Sequence, residues 1–203
     1  MPSSTPPSTP PSTAPANAPA AFADAVASLR SASVRPEVTL SETPAPSRLA
    51  PHAFALSAEV ADGDVELATG RLVLLYDPAG DPAWGGPMRI VAFVRADLEH
   101  EIATDPFLGG VGWSWLLDAL STRQAAYAAA GGTVTRAASE SFGAMAGRAT
   151  SAEVEVRASW TPLGADLAPH LLAWCDVLCY AAGLPPVAPG VAPLPPARRR
   201  SGG

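Results

Sequence analysis

The 203-residue sequence contains no lysine, so all 13 of its basic residues are arginines. Without a lysine the chain has no amine for a Schiff base and no lysine for a P-loop. Acidic residues number 19. When the terminal cluster Arg198–Arg200 is set aside, 10 arginines remain against these 19 acidic residues, a net charge of −9. A domain this acidic lacks the basic surface that nucleic acid binding requires, so we predict no nucleic-acid partner.

Cysteine and histidine are also scarce, with two and three residues respectively. Cys175 and Cys179 lie four apart on a predicted helix, which holds their side chains too far apart for a disulfide. A zinc site needs four ligands, and no further cysteine exists. We interpret both as small apolar core residues and predict no metal and no cofactor. His170 faces another side of the helix from Cys175, so we interpret it as a partly exposed histidine and not as a catalytic base.

The sequence has no secretory signal and no long apolar run. Its start, Met1–Pro6, contains neither a basic residue nor an apolar stretch. The most apolar segment is Leu167–Leu184. It contains Pro169, His170 and Asp176, which a membrane span rarely carries together. We therefore predict a cytoplasmic protein without a membrane partner.

The 23 prolines are concentrated towards the two ends of the chain. Residues 1–19 and 185–203 combine proline with small and polar residues and lack the large apolar side chains that offset the entropy of ordering. We predict that both segments are disordered tails. Residues 20–184 between them have the composition and length of one globular domain.

Three segments show helical spacing of apolar residues, and they cover residues 21–32, 113–130 and 166–183. Gly131 and Gly132 are predicted to end the second helix, and Gly183 the third, because glycine readily adopts the left-handed conformation found after helices. Asp166 is predicted to cap the start of the third helix.

Alternating apolar and polar residues predict strands over residues 54–60, 65–76, 89–98, 133–142 and 152–161, with a further short edge strand over residues 37–40. Gly70 and Arg71 interrupt the alternation, which predicts a β-bulge. The element order is α-(β)-β-β-β-α-β-β-α. Hairpins dominate this order, which predicts an α+β fold with a mostly antiparallel sheet of five to six strands and three main helices.

Two features are candidate binding sites. Arg95, Asp97 and Glu99 follow a buried strand and, together with Arg136, are candidates for contacts to a ligand, although such charged residues are more often a solvated strand end. Trp113 and Trp115 cannot both face the core of one helix. Trp115 is therefore predicted to be partly exposed and is a candidate contact to a protein partner.

Several contiguous runs resemble a known family. They are residues 48–51, 67–75, 111–116, 131–135, 158–162 and 174–179, and they belong to a similarity that extends from about Phe22 to Pro186. The family is an actinobacterial one, the domain of unknown function numbered three thousand. The resemblance implies a cytosolic actinobacterial protein, but it carries no established activity and no catalytic residues.

Two functions remain open at this point. The first is a non-enzymatic protein-interaction, adaptor or chaperone-like domain that binds another protein or a second copy of itself. It is favoured because no cluster supplies a nucleophile, base and orienting group, or a metal-ligand set. The alternative is a small-molecule-binding protein or enzyme with a charged pocket around the third strand, which predicts a deep pocket there.

Overall fold

The computed structural model describes residues 19–147 and 150–186, so most of both predicted tails lies outside the described residues. In chain order the elements are α1 (Ala20–Ser31), β1 (Val38–Thr43), β2 (His52–Asp62), β3 (Val65–Asp81), β4 (Gly86–Leu98), α2 (His100–Ala103), α3 (Leu108–Thr122), β5 (Tyr127–Ser139), β6 (Ser151–Pro162) and α4 (Ala168–Ala181). A single 3-10 turn, Gly143–Met145, precedes β6.

The six strands form one sheet in which every neighbouring pair is antiparallel. The order across the sheet is β1-β2-β3-β4-β6-β5, so β1 and β5 are the two edge strands. This architecture confirms the predicted α+β class and the mostly antiparallel sheet. The short edge strand predicted over residues 37–40 is β1.

One face of the sheet forms the main core, because α1, α3 and α4 pack against it. Alternation along each strand places every second side chain on this face. In β6, for example, Val154, Val156, Ala158 and Trp160 are all buried. On the helical side, Trp174 of α4 is buried as well. Burial of large apolar side chains of this kind contributes about 1.5–3 kcal/mol each.

Helix α4 approaches the sheet closely at Gly70 of β3. A β-carbon at Gly70 would lie 2.7 Å from the Phe93 carbonyl oxygen and 2.8 Å from Cζ2 of Trp174. The indole Nε1 of Trp174 donates a hydrogen bond to the same Phe93 oxygen at 3.2 Å. Glycine at this position therefore makes room for the tryptophan that joins helix to sheet.

The β-bulge predicted at Gly70 is wrong. Gly70 pairs in regular register with Ala58 of β2 and Val94 of β4. A β-carbon at this position would point into the core. The irregularity between β2 and β3 lies at Val60 and Ala61 instead. The interrupted alternation in the sequence thus reflects the close packing of α4 and not an extra residue in the strand.

Helix α3 ends at Thr122, so the predicted continuation to Ala130 is wrong. Gln124 adopts a left-handed conformation with φ of 55°. The N–H of Ala125 then donates to the Leu120 carbonyl oxygen at 2.9 Å. This is the Schellman arrangement that usually contains glycine. Because glutamine occupies the left-handed position here, the sequence carries no glycine signal for the end of the helix.

Helix α4 ends with the same arrangement, here built on the predicted glycine. Gly183 has φ of 71°, and the N–H of Leu184 donates to the Cys179 carbonyl oxygen at 2.9 Å. At the start of the helix, Oδ1 of Asp166 accepts a hydrogen bond from the N–H of Ala168 at 3.0 Å. The N-cap position is nevertheless Leu167, which makes no side-chain capping hydrogen bond, so the prediction of Asp166 as the N-cap is wrong by one residue.

The second face of the sheet is covered only in part. A small apolar cluster of Ala55, Val73 and Leu75 is packed against Ala45, Ala50, Ala53 and Trp84. The loop between β1 and β2 contributes to this cover, as does the turn between β3 and β4.

No helix in the described part of the chain is long and apolar enough to cross a membrane.

Candidate protein-interaction site

The predicted charged residues near the end of β4 do not converge on a deep pocket. The guanidinium of Arg95 is half exposed and forms an ion pair with Glu153 of β6. Asp97 and Glu99 are exposed, and Glu99 precedes α2. The cavity beside Arg95 and Asp97 has a volume of about 200 Å³ and is also lined by Glu66. This is smaller than the usual 300–1,000 Å³ of ligand pockets.

Arg136 lies on a different face of the sheet from these residues. It stands opposite Val154 on β6, whose side chain points into the helix-covered core. Arg95, by contrast, stands opposite Glu155 on the other face. The Arg136 side chain donates a hydrogen bond to the carbonyl oxygen of Asp105, before α3. The structure therefore brings together Arg95 and Asp97, but not Arg136.

His170 is buried, so its interpretation as a partly exposed histidine is wrong. It lies in the first turn of α4, where its Nδ1 accepts a hydrogen bond from Nε1 of Trp160 at 3.1 Å. Desolvation by burial lowers the pKa of His170 to about 4. The neutral imidazole thus works as a core hydrogen-bond acceptor for a buried indole.

Cys175 and Cys179 are both free and buried. Burial raises the pKa of each thiol, that of Cys179 to about 11. A thiol in this state is protonated at neutral pH and is a poor nucleophile or metal ligand. Among the residues that the structure describes, no group of three or more histidine, cysteine or acidic side chains is placed to hold a metal ion.

The open part of the second sheet face lies over β4, β6 and β5. Val91 is 37% exposed there. Next to it, the guanidinium carbon of Arg157 lies 5.5 Å from the centre of the Phe93 ring, a cation–π contact. These residues, together with Gly131 and Thr133 of β5, line a shallow depression of about 350 Å³. Arg157 also forms an ion pair with Glu155 at 2.7 Å, so an apolar strip bordered by this ion pair reaches the edge of the sheet.

Arg89 ties β4 to the far edge of the sheet. Its terminal nitrogens donate hydrogen bonds to the carbonyl oxygen of Ala129 at 2.9 Å, to Oγ1 of Thr161 at 3.0 Å and to Oγ of Ser159 at 2.8 Å. Desolvation lowers the pKa of this guanidinium. Ala129 has φ of 50°, at the point where the β5–β6 register shifts. Arg89 thus holds the irregular start of β5 in place; the sequence offered no signal for this role.

Strand β5 presents a regular free edge after that irregularity. Residues Gly131–Ser139 pair one to one with β6 on their inner side. On their outer side, no residue within 19–147 or 150–186 makes a backbone hydrogen bond to them. The segment contains no proline, and Arg136 is its one charged residue. Apart from Arg136, it therefore contains none of the prolines and charged side chains by which many edge strands are protected from pairing.

Trp113 and Trp115 of α3 are both half-buried, each packed against the main core. Trp113 covers Gly132 of β5, where a β-carbon would lie 2.9 Å from its ring. Trp115 instead borders a groove of about 430 Å³ between α3 and the end of α4. Tyr180 and Asp118 also line this groove, and no pattern in the sequence pointed to either residue.

These features define an α+β protein with one antiparallel sheet, helices on one face, and a free edge beside a partly apolar open face. The family model described as "Protein of unknown function (DUF3000)" matches residues 18–192, and the chain belongs to this family. The family resemblance predicted from the sequence is thereby confirmed. No curated protein and no solved structure matches the chain.

Proposed function

We propose that this chain is a non-enzymatic protein-interaction domain of adaptor or chaperone-like type, which acts in the cytoplasm. The observation that supports it is the free outer side of Gly131–Ser139 in β5. The partner supplies an extended segment that adds to the sheet there, and it is either another protein or a second copy of this chain.

The physical reason is the unmet hydrogen-bonding capacity of the edge. Each strand residue carries one backbone donor and one acceptor, and those that point outwards at an edge bond only to water. A pairing strand replaces this water with hydrogen bonds worth about 1 kcal/mol net each. A regular segment of this length makes several of them, so pairing offers affinity without a deep pocket.

The surfaces on either side of the edge supply selectivity. Successive side chains of an added strand point to opposite faces. One set would extend the open face beside Thr133 and the Phe93–Arg157 pair. The other set would meet the helical layer next to Arg136. The partner strand that suits this environment carries small or apolar residues on the first side and a hydrogen-bond acceptor or carboxylate on the second.

A photocrosslinking comparison between the two sheet edges tests this proposal. Benzoylphenylalanine is introduced at Thr135 of β5 in one variant and at Thr39 of β1 in the other. Both threonines are exposed residues of edge strands, so they form a matched pair. After irradiation in the source cells, we expect a polypeptide adduct at Thr135 that exceeds the adduct at Thr39 and that is lost when Thr133→Lys is added.

Equal crosslinking at both edges would contradict the assignment to β5. The proposal of a non-enzymatic role has its own test, native mass spectrometry of the protein purified from its source cells. A bare homodimer or a complex with another polypeptide is the expected result. A stoichiometric small-molecule or metal adduct would contradict the proposed role.

A further inference from the structure

The groove between α3 and α4 lies where the described chain ends. Pro186 itself lines it, together with Trp115, Tyr180 and Asp118. The chain is fixed just before this point, because Arg35 donates a hydrogen bond to the carbonyl oxygen of Pro185 at 3.1 Å. The described part of the chain therefore ends at the groove.

The groove combines aromatic walls with a carboxylate. Trp115 and Tyr180 are half-buried, and Asp118 is exposed and forms no ion pair with any residue that the structure describes. Burial raises the pKa of Tyr180, and the nearby carboxylates of Asp176 and Asp118 add to that rise. Asp176 is already paired with Arg123, at 2.6 and 2.8 Å. Asp118 is thus the carboxylate that remains for a cationic ligand.

The residues after Pro186 have the complementary chemistry. Residues 193–198 read Pro-Leu-Pro-Pro-Ala-Arg, and two further arginines follow. A polyproline II helix has three residues per turn, which places Pro193 and Pro196 on one face. Pro-x-x-Pro segments of this kind bind aromatic-lined grooves with little loss of conformational entropy. Arginine next to such a segment pairs with a carboxylate at the groove.

We propose that the C-terminal segment of this chain binds in the Trp115–Tyr180 groove of the same molecule. Pro193 and Pro196 lie against the two aromatic rings, and the cluster Arg198–Arg200 lies beside Asp118. The segment thereby occupies the groove as an intramolecular ligand.

The length of the connection suits binding within one molecule. Six residues, 187–192, separate Pro186 from Pro193, and they include the turn-forming pair Pro189–Gly190. A flexible connection of six residues has a root-mean-square span of roughly 13 Å, which allows the segment to turn back onto the groove. Short connections of this kind produce effective concentrations of about millimolar. At such a concentration, weak contacts from three arginines and two prolines are enough to keep the segment bound.

The test places a photocrosslinking residue, benzoylphenylalanine, at Leu194 of the full-length chain at low micromolar concentration. We expect an adduct within one molecule, mapped by mass spectrometry to the peptides that carry Trp115 or Tyr180. Asp118→Asn should lower its yield about fivefold, the effect of about 1 kcal/mol from a lost charge-assisted contact. Asp24→Asn changes the charge equally at an exposed residue of α1 and should leave the yield unchanged.

A second variant keeps the proposal testable if Asp118→Asn misfolds. Pro193→Ala combined with Pro196→Ala alters only the C-terminal segment and should also reduce the adduct about fivefold. An adduct elsewhere on the domain, or no adduct on the domain, would overturn the proposal. An adduct between molecules that increases with protein concentration would also overturn it, because the occupant would then be a second copy. None of these outcomes depends on β5, so they are independent of the proposed edge pairing.

Discussion

Replacement of Gly70 by alanine tests how α4 is joined to the sheet. The added β-carbon would lie 2.7 Å from the Phe93 carbonyl oxygen, 2.8 Å from Cζ2 of Trp174 and 2.9 Å from Cδ2 of Leu178. Contacts this short exist in neither strands nor cores, so Trp174 and Leu178 must move. The Phe93 carbonyl oxygen belongs to the backbone at the centre of the sheet, so it can move least of the three atoms.

The magnitude follows from three contributions. Overpacking of a well-packed core costs about 1–3 kcal/mol. Displacement of the Trp174 indole weakens its hydrogen bond to Phe93, 3.2 Å long, which costs about 1 kcal/mol. Opposing both, alanine lowers the entropy of the unfolded chain and stabilises by about 0.4–1 kcal/mol. The net expectation for Gly70→Ala is a loss of about 2 kcal/mol in the free energy of unfolding.

The assay is urea unfolding followed by tryptophan fluorescence. With an m value of about 2 kcal/mol per molar urea, the midpoint should fall by about 1 M. Gly109→Ala is the control, because Gly109 lies in α3 with no atom near its added β-carbon. It should leave the midpoint unchanged or raise it, since alanine favours a helix over glycine by about 1 kcal/mol. An unchanged midpoint for Gly70→Ala would refute the account of how α4 packs.

Three further predictions concern other parts of the core. Because the folded pKa of His170, about 4, lies below its ordinary value of 6.5, its stabilising effect is complete above pH 6.5 and is lost as the pH falls towards 4. Because of this group, the free energy of unfolding measured with urea should be about 2 kcal/mol lower at pH 5 than at pH 7.5, and this difference should shrink in His170→Gln. Gly132→Ala should destabilise the protein by about 2 kcal/mol, measured by urea unfolding, because the β-carbon meets the Arg157 carbonyl oxygen and the Trp113 ring; wild-type stability would contradict this packing. Arg89→Met should increase amide hydrogen exchange at the start of β5 more than in β1, because four hydrogen bonds from its terminal nitrogens are lost; equal exchange at both edges would show that Arg89 does not hold β5.

The strands show how much of the fold was predictable. In β6 the side chains of residues 153–160 alternate between polar and apolar, and the apolar set is buried as predicted. Residues 72–75 of β3 are apolar at every position, and β3 lies in the interior of the sheet. Such patterns are local, because each strand residue faces either the core or the other side.

The candidate site was predictable only in part. Trp115 was named as a candidate partner contact, and it borders a groove on the surface. Arg95 and Arg136 were predicted to share a site, but they lie on opposite faces of the sheet. The face on which each arginine lies is set by its partner on β6, which is Glu155 for Arg95 and Val154 for Arg136. The burial of His170 was missed, since its acceptor role depends on Trp160, ten residues earlier on a neighbouring element.

The sequence by itself determined the types of the six strands and three main helices, the antiparallel hairpins and the end of α4, because periodicity and glycine signals act over a few residues; it did not predict α2 or the start of β5 at Tyr127. Tertiary structure alone decided three other features. It ended α3 at a left-handed glutamine, used Gly70 to admit Trp174, and inserted β6 between β4 and β5 so that β5 has a free edge. The last two features depend on contacts between residues distant in the chain, whose free energies outweigh local propensity.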